Sequence, residues 1–252
     1  MGPAGVFGII VDNIPGFLNW GALESMPLFL WDWTIFLLIP ALLLTIVAQV
    51  RVTSTFNRYK EVPSARGLTG AQGARMLLDS SGLGHVGIQV EGGRLSDHYD
   101  PRSKTLTLSP EVANGNSLAA LGVAAHEAGH AIQDAEKYAF LRARSSMVQG
   151  AALGSNVGFF LFFVGLVLGR NTLLMNIGIV MFSLFVLFTL VTLPVEINAS
   201  RRALAGLASH NILLPDEIRG ARAVLSAAAL TYVAAALMAL LNLLRLVLIS
   251  RR

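Results

Sequence analysis

The chain has 252 residues and a net charge of +4, with 54% of its residues hydrophobic and only 13% charged; its mean hydropathy is +0.62. Soluble domains carry about 25% charged residues, so half the usual supply excludes an ordinary soluble protein and points to lipid as the solvent. The basic residues form no stripe, since 51–146 hold eleven Lys/Arg against nine Asp/Glu, which argues against a nucleic-acid partner, and the absence of cysteine excludes disulfides and thiolate chemistry.

In chain order, residues 1–32 are apolar but broken by Asp12, Pro15, Glu24, Pro27 and Asp32. With no basic n-region they do not read as a cleaved signal peptide. Short interfacial segments, with Trp20, Trp31 and Trp33 at headgroup depth, fit better. Residues 33–50 are the first uncharged run long enough to cross a bilayer as a helix. "RVTSTFNRYKEVPSARG" then reads as a polar linker, and Thr69 with Gln72 forms a capping box for a helix that Gly82 stops. Residues 86–90 and 104–108 alternate as half-buried strands do, and "GGRLSDHYDPRS" between them reads as a turn or irregular edge. Asn116 or Ser117 caps a helix running to about Asp134.

Residues 51–146 thus form a small α+β domain inserted between spans. Residues 147–194 supply two more spans joined at Arg170–Asn171, 195–222 a second polar segment, and 223–252 a fourth span and the C-terminus. Segments 51–146 and 196–222 carry fifteen of the nineteen Lys/Arg, which assigns both to the cytoplasm by the positive-inside rule. Arg251 and Arg252 run against this rule, and Arg245 shortens the fourth span. The fold class is a predominantly α membrane protein with about four transmembrane helices and an inserted α+β domain.

The chemistry concentrates in "VAAHEAGHAIQ", residues 123–133. On a helix His126 and His130 lie one turn apart on one face, as two ligands of a single metal must. Glu127, beside the first histidine, can act as general base on a water that the metal activates, which is the chemical content of H-E-x-x-H. The flanks Val123, Ala124, Ala125, Ala128, Gly129, Ala131 and Ile132 are small or apolar, and burying unpaired His and Glu among them is costly unless a metal is bound. Glu196 follows the third span in a segment otherwise apolar for 25 residues. The hairpin of spans two and three returns it to the membrane face of His126, where it can supply a third ligand. Ser200, one turn beyond, is placed to orient a ligand. His85 and His210 sit in polar loops and read as solvated.

"GLTGAQGARMLLDSSGL", "LSDHYDPRSKTLTLSPEV", "AAHEAGHAIQ" and "LPVEINASRRA" together resemble the YugP-like family of zinc-dependent neutral membrane metallopeptidases over about residues 33 to 245. That family is in turn distantly similar to HtpX-like gluzincin peptidases, in which a later E-x-x-A-D segment gives the third zinc ligand; here it reads E-I-N-A-S, with Ser200 in place of the aspartate. The resemblance implies a zincin-like catalytic domain, one catalytic zinc ion held by His126, His130 and Glu196, and hydrolysis of peptide bonds. It also implies that Asp97, His98 and Tyr99 line the substrate cleft, with His98 or Tyr99 stabilising the oxyanion. Arg201 and Arg202 read equally as oxyanion donors or lipid-headgroup partners.

The resulting expectation is an integral protein of a bacterial cell membrane, its catalytic domain facing the cytoplasm. Its partners are the lipid bilayer and protein or peptide substrates, misfolded membrane proteins among them. A noncatalytic zinc-binding membrane scaffold or chaperone-like protein is the alternative, although structural zinc sites usually have four protein ligands and only three candidates stand out. A transporter is disfavoured, because the spans contain almost no charge.

Overall fold

A computed structural model of the chain describes residues 33–92 and 97–251. The expected interfacial segment 1–32, and Leu95 and Ser96 of the expected cleft edge, lie outside the described residues. After a 3-10 turn at Trp33–Leu38, the elements are α1 (Ile39–Lys60), α2 (Gly70–Ser80), β1 (Gly87–Val90), β2 (His98–Asp100) and β3 (Thr105–Leu108). They are followed by α3 (Pro110–Asn114), α4 (Leu118–Ala135), α5 (Ala139–Leu153), a π-helical turn (Gly154–Gly158), α6 (Phe159–Val167), α7 (Thr172–Ser209) and α8 (Ile218–Ser250). The described residues are mostly α, with one small sheet.

Four helical stretches, Trp33–Lys60, Ala139–Val167, Thr172–Ser209 and Ile218–Ser250, are long and apolar enough to cross a membrane. On α1, Leu42, Leu43, Ile46 and Val47 are each more than half exposed. A helix that turns such a surface outward has lipid as its natural solvent.

Two compact units are distinguished. The first comprises Ala48–Arg142 and Pro194–Thr231. The Thr69 hydroxyl accepts from the Gln72 N–H while the Gln72 side chain accepts from the Thr69 N–H, so the capping box starts α2. Its Ala74, Leu77 and Leu78 pack with Leu121 and Ala125 of α4, Leu106 and Leu108 of β3, Leu207 of α7 and Leu225 of α8 in one core. Burying a leucine fully in this way contributes about 1.5–3 kcal/mol. Ser109 caps α3 and Ser117 caps α4. A pair of backbone bonds, Ser64 N–H to Asn116 C=O at 2.8 Å and Leu118 N–H to Val62 C=O at 2.9 Å, fastens the start of α4 to the chain leaving α1.

The sheet has the order β1-β3-β2, with β1 parallel and β2 antiparallel to β3; His98 pairs with Thr107 and Tyr99 with Leu106. The stretch read as a turn therefore contains a strand. It has only three residues between Asp97 and Pro101, too few for alternation to show, and its pairing with β3 defines it. The segment read as a linker is also corrected: residues 51–60 continue α1, because no glycine or proline interrupts the helix before Pro63.

The second unit comprises residues 33–47, Ala143–Leu193 and 232–251. Its core holds Phe162, Met175, Phe182, Val186, Ala239, Leu246 and Ile249. A Cβ at Gly178 would lie 2.5 Å from the Gly158 carbonyl oxygen, so glycine lets these two helical segments touch backbone to backbone. The hairpin turns at Gly169 and Arg170, both at positive φ, and the Asn171 side chain caps the next helix at the Leu174 N–H. The fourth span does not stop at Arg245. α8 runs through it, and the guanidinium is buried, with Nε 3.4 Å from Thr34 Oγ1.

Candidate metal centre

The site is built in the first unit by α4 and α7. Gly129 explains how close they come: a Cβ there would lie 2.6 Å from the Ala199 carbonyl oxygen. Without a side chain at 129, the turns that carry His126, His130 and Glu196 meet.

His126, His130 and Glu196 are buried, and one potential ligand atom from each lies within 4.8 Å of the others. Among the described residues this is the one such convergence of three or more His, Asp or Glu. Nε2 of His126 is 3.2 Å and Nε2 of His130 is 3.7 Å from Glu196 Oε2. The rings stand edge-on, with centroids 4.7 Å apart. The other ring nitrogens are engaged: His126 Nδ1 lies 3.1 Å from Ser200 Oγ, and His130 Nδ1 lies 3.0 Å from Gln133 Oε1.

These residues fit a zinc ion. Two imidazoles and a carboxylate are the donor set of an open catalytic zinc site. Their Nδ1 contacts leave both Nε2 atoms toward the Glu196 carboxylate. Glu127 adds an independent observation: it is wholly buried, and neither carboxylate oxygen has a hydrogen-bond partner. An orphaned buried carboxylate is costly, and it is retained where a reacting or ligating partner uses it.

The remaining expected site residues divide. Ser200 lies against His126, as described. Arg201 is exposed. Arg202 is neither aimed at a reacting oxygen nor left for a headgroup: it forms a bidentate pair with Glu136 at 2.6 and 2.8 Å, and its Nε donates to Asn198 Oδ1 at 2.7 Å. Its position on α7 opposite the end of α4 dictates that pairing, which also holds the Glu136 carboxyl below its ordinary pKa. Asp97 does not line an open cleft; it is 2% exposed, and Oδ1 accepts from the Ser109 N–H at 2.7 Å. Burial raises its pKa, the nearby Glu127 charge adds to this, and the Ser109 hydrogen bonds oppose it.

Tyr99 is buried, and its hydroxyl donates to Asp134 Oδ2 at 2.8 Å, the atom that also accepts from Lys104 Nζ. These bonds tie β2 and the β2–β3 turn to the end of α4. They employ the hydroxyl structurally and push the phenol pKa up, burial being the larger cause. His98 is half-buried and, by strand alternation, faces away from Tyr99. His85 and His210 are exposed.

Sequence reasoning missed Gln133 and Asn198. Gln133 is wholly buried, and its Nε2 donates to the Val195 carbonyl and to Asn198 Oδ1, both at 2.9 Å. A buried amide one turn after the second histidine, on the helix that carries it, was the available signal.

Helices able to cross a membrane, together with a buried His/His/Glu set beside an unpartnered glutamate, define a class: a membrane protein with a candidate zinc centre. The family model described as "Putative neutral zinc metallopeptidase" matches residues 34–251. The chain is also 46% identical over 215 residues to "Putative membrane protease YugP" of Bacillus subtilis (strain 168), an alignment covering 85% of this chain and 95% of that protein. The chain therefore belongs to the YugP-like family of neutral zinc metallopeptidases. No solved structure matches it.

Proposed function

We propose that this protein is a membrane-embedded zinc endopeptidase of gluzincin type, hydrolysing peptide bonds close to the cytoplasmic membrane face. The α+β region 51–146 and the segment 195–222 would form a zincin-like catalytic domain, with 33–50, 147–194 and 223–252 in the bilayer. The observation that carries the reading is Glu127: a buried carboxylate with two unpartnered oxygens, one residue from His126.

His126, His130 and Glu196 would hold one zinc ion, which when bound makes water nucleophilic near neutral pH and polarises a carbonyl oxygen. Glu127 takes the proton of the attacking water onto its free carboxylate and returns it to the leaving amine. Glu127 is itself 0% exposed, so its carboxylate is shielded from bulk water. Ser200, beside Nδ1 of His126, would hold that imidazole in place. His98, on β2, is the residue proposed to stabilise the oxyanion. Support for a cytoplasmic site comes from the Lys/Arg bias of 51–146 and 196–222. Because Glu196 follows the apolar run of α7, membrane-proximal and misfolded membrane segments are the proposed substrates.

The test is cleavage of an unfolded protein by the purified, zinc-loaded chain beside Glu127→Gln. Activity in the first, and none in the second with zinc retained, supports the reading. Silence from both with zinc bound would favour a noncatalytic zinc-binding scaffold.

A further inference from the structure

Gln133 was not among the residues expected at the centre, yet the donors and acceptors around it leave it no freedom. The Val195 carbonyl oxygen can only accept, so the amide group 2.9 Å away must present its NH2. Arg202 Nε can only donate, so Asn198 presents Oδ1 to it at 2.7 Å, and the same Oδ1 takes the second Gln133 N–H at 2.9 Å. A flipped Gln133 would set its oxygen against two acceptors. Its Oε1 therefore points at His130 Nδ1, 3.0 Å away, as an acceptor. A neutral imidazole facing an obligate acceptor carries its proton at Nδ1 and keeps its lone pair at Nε2, the atom turned toward Glu196.

We propose that Gln133 is the positioning residue of the metal centre: the fixed chain Arg202–Asn198–Gln133 sets the tautomer of His130 so that Nε2 is ready to bind the ion. The same chain joins the helices that carry the ligands. His130 and Gln133 lie on α4, while Asn198 and Arg202 follow Glu196 on α7. Arg202 returns to the end of α4 through Glu136. Ser200 cannot do the same for His126, because a hydroxyl both donates and accepts.

This inference rests on the zinc reading above, and its test separates the two. The full chain in detergent is compared with Gln133→Met, which removes the acceptor facing His130 and both donors. Zinc affinity, measured by competition with a chelator, should fall about 10- to 100-fold in this variant. The tautomer is read directly by nitrogen-15 NMR of labelled histidine in the metal-free protein, above the ordinary imidazole pKa of about 6.5. His130 should be protonated at Nδ1.

A metal-free wild type with His130 protonated at Nε2 overturns the proposal, as does a methionine variant that binds zinc as tightly as wild type. If that variant does not fold, the wild-type tautomer alone decides. If wild type binds no zinc, the peptidase reading falls and the tautomer still decides. If it binds zinc but cleaves nothing, the affinities decide.

Discussion

His126 Nδ1 and Ser200 Oγ lie 3.1 Å apart, one turn along α7 from Glu196. A carboxylate at this position would accept from Nδ1–H and raise the basicity of Nε2, whereas serine accepts or donates with equal ease. Ser200→Asp should therefore tighten zinc binding, and Ser200→Ala should weaken it by about tenfold. Chelator competition on the two variants checks both directions. Equal affinities would mean that Ser200 does not orient the ligand.

Glu196 supplies the carboxylate of the set, and two histidines alone hold zinc weakly. Glu196→Ala should lose stoichiometric zinc, measured by metal analysis after gel filtration, and all peptidase activity with it. In wild type, chelation should abolish activity and added zinc restore it. Zinc should also protect against unfolding, by about 2.7 kcal/mol at a free concentration 100 times Kd, and this protection should be absent in Glu196→Ala.

The two neighbours on β2 should behave differently. Tyr99→Phe removes the bond to Asp134, which keeps Lys104, so it should cost about 1 kcal/mol of stability and leave kcat near wild type. His98→Ala should lower kcat by about 10²-fold or more if that ring stabilises the oxyanion. A large kcat loss in Tyr99→Phe with His98→Ala silent would exchange the two assignments.

How much of this could be read from residues alone depends on how local each feature is. The spacing of His126 and His130, the capping box at Thr69 and the helix start at Ser117 each lie within a few residues, and all are visible in the sequence. The strand His98–Asp100 is not, because a three-residue element exists only through its pairing with Thr105–Thr107. The amide chain from Arg202 to His130 is hidden for the same reason. Gln133 and Asn198 carry no motif, and their meaning arises only where α4 meets α7. Arg202 misleads in sequence: a basic residue after a span reads as a headgroup partner until Glu136 is seen across from it.

Asp97 gives a pH signature. Its folded pKa is raised, chiefly by burial, above the unfolded value of about 3.9. The folded state thus holds the proton more tightly. The stability this contributes is full below about pH 3.9 and is lost as pH rises through the raised value. Asp97→Asn keeps an oxygen for the Ser109 N–H and removes the titration. The stability of wild type relative to this variant should fall as pH rises from about 4, and then level off above the raised pKa. Metal-free thermal unfolding across that range measures it, and a difference independent of pH would show that Asp97 is not raised in the folded protein.

Gly129 tests the geometry that brings the ligands together. A methyl group added there would meet the backbone of Ala199, which cannot swing aside as a side chain can, so α4 and α7 must separate. Overpacking of this kind costs about 1–3 kcal/mol. The ligands sit on both helices, so metal binding should suffer along with the fold: Gly129→Ala should unfold at lower temperature, and its zinc affinity should drop even where the protein is still folded. Ala128→Gly on the same turn provides the contrast. It lowers helix propensity, by up to about 1 kcal/mol, where Gly129→Ala raises it, but it adds nothing between the helices and should leave zinc affinity nearly unchanged. If the two variants lost zinc equally, general destabilisation rather than the close approach at Ala199 would govern the centre.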